Sequence, residues 1–512
     1  MPLVDIYRFY SPGDTGRDVY AFQMAFEGKL PCRDYWWQYG PLMPFYYAFW
    51  FLLTGVNLLS VRIGLDVLLF LCAFLSYMTL RIFVYPSIAF LFSLSFLSFY
   101  AGYTLNHIGC FPFLILSVFS LWKFFLTHRT RWCYVGIFAV IGTALVKTTA
   151  GIASLFAFLA SLLLYNLLSK QKDPNGRFPL DPIHLLYVFL IFSAVTFGVY
   201  GFLYFGLPLS WVDQCLWLRP YYRNWGILPF GISNIDSFSY LLHGRHLLWH
   251  SLFVVVSAFG LWSLRKKNSL LLEGQTLSAV VGSPLLFGLS NAMDYFADGM
   301  AFRIHFWAFP MQVLLMGLFG GWATSAFTSK TRAVFLGGVF FSLLLIPLRN
   351  LQVTLPYRTP ERYLDLPHGH VYLGGALSVL ESVREGSRFI LENTTEGQQI
   401  LAVPYDALFC FLSGRRQAIR ELHFYNETPI SERRQREIVA QLETKRVPLI
   451  ILAQVGSLGR NHHSGFLGKN CEKLHRYIFR HYEKVRTFGT LMADSPSTYP
   501  IVILKRKYEQ AG

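Results

Sequence analysis

Charged side chains are scarce in this chain. Asp, Glu, Lys and Arg make up 14% of its 512 residues, whereas 54% are hydrophobic and 17% are aromatic. Ordinary soluble domains carry about 25% charged residues. The composition therefore excludes a typical soluble protein and predicts one whose helices cross a membrane several times.

Acidic residues are fewer still. The chain has 29 Asp and Glu residues against 45 Lys and Arg residues, which gives a net charge of +16. A positive excess can indicate nucleic-acid binding, but here the positive residues largely lie between apolar runs and in the C-terminal part. That distribution is typical of topology signals and of a domain lying against anionic lipid. We therefore expect membrane lipids as partners, and no nucleic acid.

Paired cysteines are also lacking. The seven Cys residues are scattered and none forms a CxxC pair. Those in or beside apolar runs are most simply small hydrophobic residues, and no spacing argues for a disulfide. The His residues are mostly single, so no metal ligand is named from the sequence.

The apolar runs have the length of membrane spans. A straight or tilted helix needs roughly 17–25 residues to cross a bilayer. The run 41–56 is shorter, and we expect it to dip into or lie along the outer leaflet. About ten runs have spanning length, at 61–80, 85–104, 108–127, 132–149, 151–169, 184–206, 247–264, 276–292, 304–323 and 332–348.

Positive residues recur at every second junction between these runs. The positive-inside rule assigns such junctions to the cytoplasm, which places both ends of the chain outside. We expect a multi-pass protein of the bacterial cytoplasmic (inner) membrane, with its N-terminal segment and C-terminal domain on the outer face. The positive junctions are Arg81, 128–131, 170–177, 265–267 and 330–332.

The composition changes after residue 348. Charged residues become frequent and the apolar runs shorten to strand length. Strands are predicted at 399–403, 448–453 and 501–504, and a helix at 431–446. The predicted fold class is therefore mostly α, with a polytopic helical membrane domain followed by a small C-terminal α/β domain. The predicted boundaries are a loop segment 1–40, a membrane domain 41–348 and a soluble domain 349–512.

A polar, aromatic-rich segment precedes the apolar sequence. Residues 13–44 read GDTGRDVYAFQMAFEGKLPCRDYWWQYGPLMP, with Asp14, Asp18 and Asp34 among several Tyr and Trp residues. Ionisable groups next to a membrane domain cost insertion free energy. Their presence here suggests a function at the bilayer surface.

The order of parts in this segment resembles one family. Asp14 is followed by a helical run to Glu27-Gly28, then by Arg33-Asp34 and by a Tyr39–Leu42 entry into apolar sequence. This is similar to the first extracytoplasmic loop of the polytopic GT-C glycosyltransferases. Within that superfamily, it resembles the RgtA/B/C/D-like bacterial branch, the protein O-mannosyltransferases and the lipid A aminoarabinose transferases. The rest of the chain agrees with the family in layout rather than in motif.

The resemblance implies an inverting, GT-C-like glycosyltransferase. Such an enzyme moves a sugar from a polyprenyl-phosphate donor to a lipid-linked saccharide, a cell-envelope glycan or a protein on the outer face of the membrane. Family members usually have a transmembrane helix directly before the Asp loop. We expect either that the natural start lies upstream or that this protein works without that helix.

Two carboxylates are the candidate catalytic groups that the resemblance implies. Asp14 matches the loop aspartate of the family, with a role as general base or in orienting the acceptor; the alternative is a helix cap. Asp34 is the second candidate and Arg33 a candidate contact to sugar or acceptor, whereas a structural ion pair is the equal alternative. Asp18, one turn after Asp14, is a secondary candidate or a solvated helix carboxylate.

Three residues are candidates for binding the donor phosphate. Lys147 lies in an apolar stretch at an outer turn, where an ionisable residue is a functional hypothesis by default; the alternative is snorkelling to the interface. Arg303 and His305 resemble the Arg-x-aromatic motif of the family, although relatives commonly carry Tyr where this chain has His305. Their alternative role is to anchor the end of a span.

Four further residues are candidate contacts to acceptor or sugar. Trp37 and Tyr39 suit stacking, although interfacial belts put such residues at this depth in any membrane protein. Asn106 and His107 stand in an outer turn where many relatives place an acidic residue. That carboxylate is missing in this chain. A bound divalent metal is therefore unsupported here, although the resemblance leaves it open.

Two other classes of function stay open. A transporter or flippase of lipid-linked sugars is one alternative, but transporters tend to carry ionisable residues near the bilayer midplane. Here the mid-span positions are nearly free of charge. A non-catalytic envelope assembly protein, whose outer domain binds a partner, is the other.

Overall fold

The computed structural model describes most of the chain. The described residues are 6–7, 12–98, 105–170, 182–216, 251–260, 262, 274–296, 301–354, 358–374, 377–422, 424, 430–453, 471–489 and 500–507.

Helices dominate the first 354 residues. The predicted polar segment contains helix α1 (Pro12–Phe26), and the short apolar run contains helix α2 (Leu42–Thr54). The helices that follow are α3 (Leu58–Leu80), α4 (Pro86–Ser93), α5 (Ser95–Ser98), α6 (Leu105–Ile108), α7 (Cys110–Thr127), α8 (Arg131–Val146), α9 (Thr148–Lys170), α10 (Pro182–Tyr204), α11 (Leu209–Leu216), α12 (Ser251–Gly260), α13 (Gly274–Phe296), α14 (Ala301–Ala326) and α15 (Ser329–Thr354).

Four stretches of helix in the described residues are long and apolar enough to cross a membrane. They are Leu58–Leu80, Leu105–Thr127, Thr148–Leu168 and Ile183–Tyr204. The chain is therefore an integral membrane protein, as its composition predicts.

The predicted span at 85–104 is described as far as Ser98. This part is helical and consists of α4 and α5, which are separated only at Leu94. The Leu94 amide still donates to the Phe90 carbonyl at 3.1 Å, so whether this segment crosses the membrane stays a prediction.

Helix α2 is short for a span. Its 13 residues extend about 20 Å at 1.5 Å per residue, against a hydrocarbon core of about 30 Å. It ends at Thr54 and is followed by Gly55, whose φ of 87° lies in the region that favours glycine. Whether α2 crosses stays a prediction.

The C-terminal region forms a five-stranded mixed sheet. Strands β3 (Gln399–Val403), β4 (Arg416–Gln417), β5 (Leu449–Ala453), β6 (Tyr482–Phe488) and β7 (Ile501–Arg506) have the order β4-β3-β5-β7-β6. Strand β3 pairs in parallel with β4 and β5, whereas β7 pairs antiparallel with β5 and β6. The small α/β domain and its three predicted strands are confirmed, while β6 was missed because its polar, solvent-facing residues lack an apolar run.

Helices accompany this sheet. They are α16 (Leu377–Asn393), α17 (Leu408–Ser413), α18 (Glu432–Thr444) and α19 (Glu472–His481). Helix α18 lies within the predicted 431–446, and the Ser431 side chain caps its start by accepting from the Arg434 amide. Helix α16 was not predicted from the sequence.

The N-terminal segment packs against the C-terminal domain. Strand β1 (Ile6–Tyr7) pairs in parallel with β2 (Tyr372–Leu373). Buried residues of α1, such as Phe22, share one hydrophobic core with residues of α17, such as Phe411. The predicted loop segment is therefore held between the membrane helices and the sheet domain. The predicted domain boundaries themselves stay predictions.

Candidate active site

Two glycines let the C-terminal domain approach α1 closely. A Cβ on Gly13 would clash with the Tyr405 ring, and one on Gly16 would lie 2.6 Å from the backbone nitrogen of Leu408. On the same helix, the Tyr20 hydroxyl accepts from the Gln417 amide at 2.8 Å. These contacts place the start of α1 directly beneath the loop that follows β3.

A cluster of four polar side chains lies at this contact. The Tyr405 hydroxyl donates to Oδ1 of Asp14 at 2.5 Å and accepts from Nη1 of Arg17 at 2.6 Å. Arg17 also approaches Asp14 Oδ1 at 3.3 Å and Asp18 Oδ1 at 2.6 Å. We call Asp14, Arg17, Asp18 and Tyr405 the α1 cluster. It joins two carboxylates, one guanidinium and one phenol.

Exposure differs sharply within the α1 cluster. The side chains of Arg17 and Asp18 are each 1% exposed, whereas that of Asp14 is 40% exposed. Asp14 stands in the first turn of α1, where the helix dipole favours a negative charge. The solvent-facing member of the cluster is therefore the carboxylate that the sequence singled out.

Burial shapes the protonation of the two inner groups. Burial raises the pKa of Asp18 to about 6, against the opposing attraction of Arg17. Burial also acts to lower the pKa of Arg17, but the neighbouring negative groups, Asp18 foremost, outweigh it and raise the pKa. Arg17 is thus a fixed positive charge behind Asp14.

The Tyr39–Gly40 segment links the α1 cluster to Lys147. The Arg17 guanidinium lies 5.0 Å from the centre of the Tyr39 ring. The Trp37 indole donates to the Gly40 carbonyl at 2.9 Å, and the Gly40 amide donates to the carbonyl of the residue before Lys147 at 2.9 Å. Lys147 itself is 5% exposed. Burial raises the pKa of Tyr39, and Lys147 is close enough to act in the opposite direction.

Helix α6 contributes a third side to the site. The His107 ring meets the Tyr39 ring edge to face at 5.2 Å. Asn106 is fully buried and close enough to Asp18 to lower the pKa of that carboxyl. The turn that lacks the family's acidic residue therefore does lie at the site.

The structure brings together most of the residues predicted from sequence. These are Asp14, Asp18, Trp37, Tyr39, Asn106, His107 and Lys147. Their roles stay predictions.

Arg33 and Asp34 have different surroundings. Both are exposed, and Asp34 Oδ2 accepts from the Leu30 amide at 2.7 Å within a tight turn. The Arg33 and Asp34 amides both donate to the Leu30 carbonyl. No described contact joins this turn to the α1 cluster.

Arg303 and His305 lie near the start of α14. Their side chains are outside the described part of the structure.

Two residues of the site were missed from the sequence. Arg17 lies three residues after Asp14 and next to Asp18, and that spacing on a helix was a usable signal. Tyr405 follows strand β3, 388 residues after Arg17, and no local pattern connects it to α1. Only the packing of the C-terminal domain reveals it.

No metal-binding cluster is evident near these groups. Within the described ranges, no three His, Cys, Asp or Glu side chains are grouped as metal ligands. Lys147, which lies close enough to Tyr39 to influence the pKa of that phenol, is one cationic side chain at this site.

Comparisons with known proteins give one kind of match. No family model matches the sequence, and no curated protein matches it. Among solved structures, the chain is similar to crystal structures of ArnT from Cupriavidus metallidurans. The form bound to undecaprenyl phosphate has 11% identity and a TM-score of 0.42, over 97% of this chain and 94% of that chain. The apo form has 12% identity and a TM-score of 0.39, over the same shares of both chains.

Proposed function

We propose that this protein is an inverting membrane glycosyltransferase. It moves a sugar from a polyprenyl-phosphate donor to a hydroxyl of a lipid-linked saccharide, a cell-envelope glycan or a protein. The observation that carries the proposal is the α1 cluster, in which Asp14 is exposed while Arg17 and Tyr405 hold it from the buried side. The proposed place of the reaction is the outer face of the bacterial cytoplasmic membrane.

Asp14 is the proposed base. The acceptor oxygen attacks the anomeric carbon, the bond from that carbon to the phosphate oxygen breaks, and the acceptor proton passes to Asp14. A base must reach the hydroxyl directly or through one water. The 40% exposure of the Asp14 side chain gives an acceptor this access, which the buried Asp18 does not offer.

Lys147 is the proposed partner of the departing phosphate. It is a buried cation in a membrane domain, and it lies close enough to act on the pKa of Tyr39, whose ring also faces Arg17. Cations placed where charge develops in a site of low polarity are a large source of rate acceleration. Arg303 and His305 remain proposed donor ligands on the strength of the sequence resemblance.

The remaining candidates serve as walls and contacts in this proposal. Tyr39 offers a partly exposed aromatic surface beside Arg17. Trp37 is fully buried and supports this segment through its hydrogen bond to Gly40, and Asn106 and His107 close the site from α6. Arg33 remains a candidate acceptor contact.

The test is sugar transfer in proteoliposomes. Purified wild-type protein is supplied with a set of polyprenyl-phosphate sugars, and the Asp14→Asn variant is assayed beside it. We expect the variant to lose about 10²–10⁴-fold in rate, the range that a general base contributes. Asp365→Asn is the matched control, because Asp365 is an exposed carboxylate of the C-terminal domain.

Two results would contradict the proposal. Transfer that continues unchanged in Asp14→Asn removes Asp14 from the mechanism. An absence of transfer with every donor, together with movement of lipid-linked sugar between leaflets, favours a transporter.

A further inference from the structure

We propose that Tyr405 is a positioning residue for the Asp14 carboxylate, so that the C-terminal domain completes the active site. The inference rests on the proposed function of Asp14. It assigns the C-terminal domain a part in the chemistry, rather than only the recognition of a partner.

The Tyr405 hydroxyl makes two hydrogen bonds, one as donor and one as acceptor. It donates to Oδ1 of Asp14 at 2.5 Å and accepts from the Arg17 guanidinium at 2.6 Å. Hydrogen bonds with one ionised partner are shorter and stronger than neutral ones. A phenol fixed in this way confines the carboxylate to one orientation.

Rigid elements fix Tyr405 itself. The side chain is 5% exposed, and its ring lies directly over Gly13 of α1. Its backbone amide approaches Oδ2 of the buried Asp406 at 3.3 Å, and the carbonyl of the preceding Pro404 accepts from Phe424 at 3.0 Å. Sites held by packed elements of this kind keep the tight geometry that catalysis needs.

The contacts from Tyr405 and Arg17 leave part of the Asp14 side chain exposed to solvent. Both Tyr405 and Arg17 reach the same oxygen of Asp14, and 40% of that side chain stays exposed. The carboxylate is thus held from the protein side while an acceptor hydroxyl approaches from solvent. Misplacement of a reacting group by about 1 Å can cost about 100-fold in rate.

A kinetic comparison of three forms tests the inference. Tyr405→Phe keeps the ring over Gly13 and removes both hydrogen bonds of the hydroxyl. We expect kcat to fall about 10- to 100-fold, while the KM for donor and acceptor changes less than about threefold, because binding groups are untouched. Gly13→Ala is a second variant that displaces the ring but retains the hydroxyl, and the same fall in kcat is expected.

Tyr482→Phe is the matched control. Tyr482 is 2% exposed in the same domain, and its hydroxyl donates to the Val447 carbonyl at 2.9 Å. This variant also loses one buried phenol hydrogen bond, but away from Asp14. We expect its unfolding temperature to fall, though less than that of Tyr405→Phe, which loses two hydrogen bonds to charged groups. Its kcat is expected to stay unchanged.

The results that overturn the inference are distinct from those that overturn the proposed function. A kcat of Tyr405→Phe within about twofold of wild type, where Asp14→Asn is inactive, overturns the positioning role alone. An equal loss of kcat in Tyr482→Phe also overturns it, because the effect is then one of stability. Absence of transfer in the wild type overturns the proposed function and this inference with it.

Discussion

Two Arg-Asp dipeptides lie in the same N-terminal segment and have opposite surroundings. The Arg17-Asp18 side chains are each 1% exposed and form an ion pair at 2.6 Å. Arg33 and Asp34 are exposed, and the Asp34 carboxylate accepts from the amide of Leu30. The dipeptide alone therefore does not decide its use. The first is covered by the C-terminal domain, and the second forms a surface turn.

The difference has an energetic meaning. Exposed ion pairs contribute about 0–1 kcal/mol, so a surface Arg-Asp dipeptide needs no function to persist. Burying two charges carries a desolvation cost that is often not recovered in stability. The cost at Arg17-Asp18 suggests that the α1 cluster serves the orientation of Asp14. Variants of the two dipeptides and of their neighbours test that view.

Arg17→Met is expected to have the largest effect on stability. It leaves Asp18 buried without its cationic partner, and breaking a buried pair costs about 3–5 kcal/mol. Unfolding in mixed micelles measures this loss, and sugar transfer is expected to disappear as well. Arg33→Met is the matched control, for which we expect a change within about 0.5 kcal/mol. Equal losses in the two variants would remove the distinction between the dipeptides.

Asp406→Asn tests whether the buried carboxyl next to Tyr405 makes stability depend on pH. Burial raises the pKa of Asp406 from 3.8 to about 8, so the folded protein keeps a proton that the unfolded chain releases. Stability therefore falls as pH rises between about 4 and 8, by up to about 1.4 kcal/mol per pH unit. We expect wild type to lose stability from pH 6.5 to 8 and Asp406→Asn to lack this slope.

The pH range separates Asp406 from Asp18. Burial raises the pKa of Asp18 to about 6, so its contribution has the same sign but is largely complete below pH 6.5. Parallel slopes in wild type and Asp406→Asn would show that Asp406 does not hold its proton in the folded state.

Local patterns in the sequence predicted one half of the site. The resemblance of residues 13–44 to the family's first loop marked Asp14, and a lysine in apolar sequence marked Lys147. The aromatic run marked Trp37 and Tyr39. Each of these signals lies within a few residues of the side chain concerned.

The other half depends on tertiary packing. Tyr405 joins Asp14 across 391 residues of chain, and no spacing rule reaches that far. The same limit applies to Arg33-Asp34, whose exposure depends on which part of the N-terminal segment the C-terminal domain covers.

Asp34→Asn is expected to have the smallest effect. Asn can retain an oxygen that accepts from the Leu30 amide, so the turn survives, and the loss stays below about 1 kcal/mol. We expect transfer within about threefold of wild type, measured beside Asp14→Asn with the same donor. Asp34→Ala then removes the acceptor and reports the turn alone through unfolding. If Asp34→Asn instead matches the loss in Asp14→Asn, exposure has been misjudged as a sign of a structural role. Asp34 would then act on substrate from the surface, as one of the two sequence interpretations has it, and burial in the α1 cluster would mark only half of the chemistry.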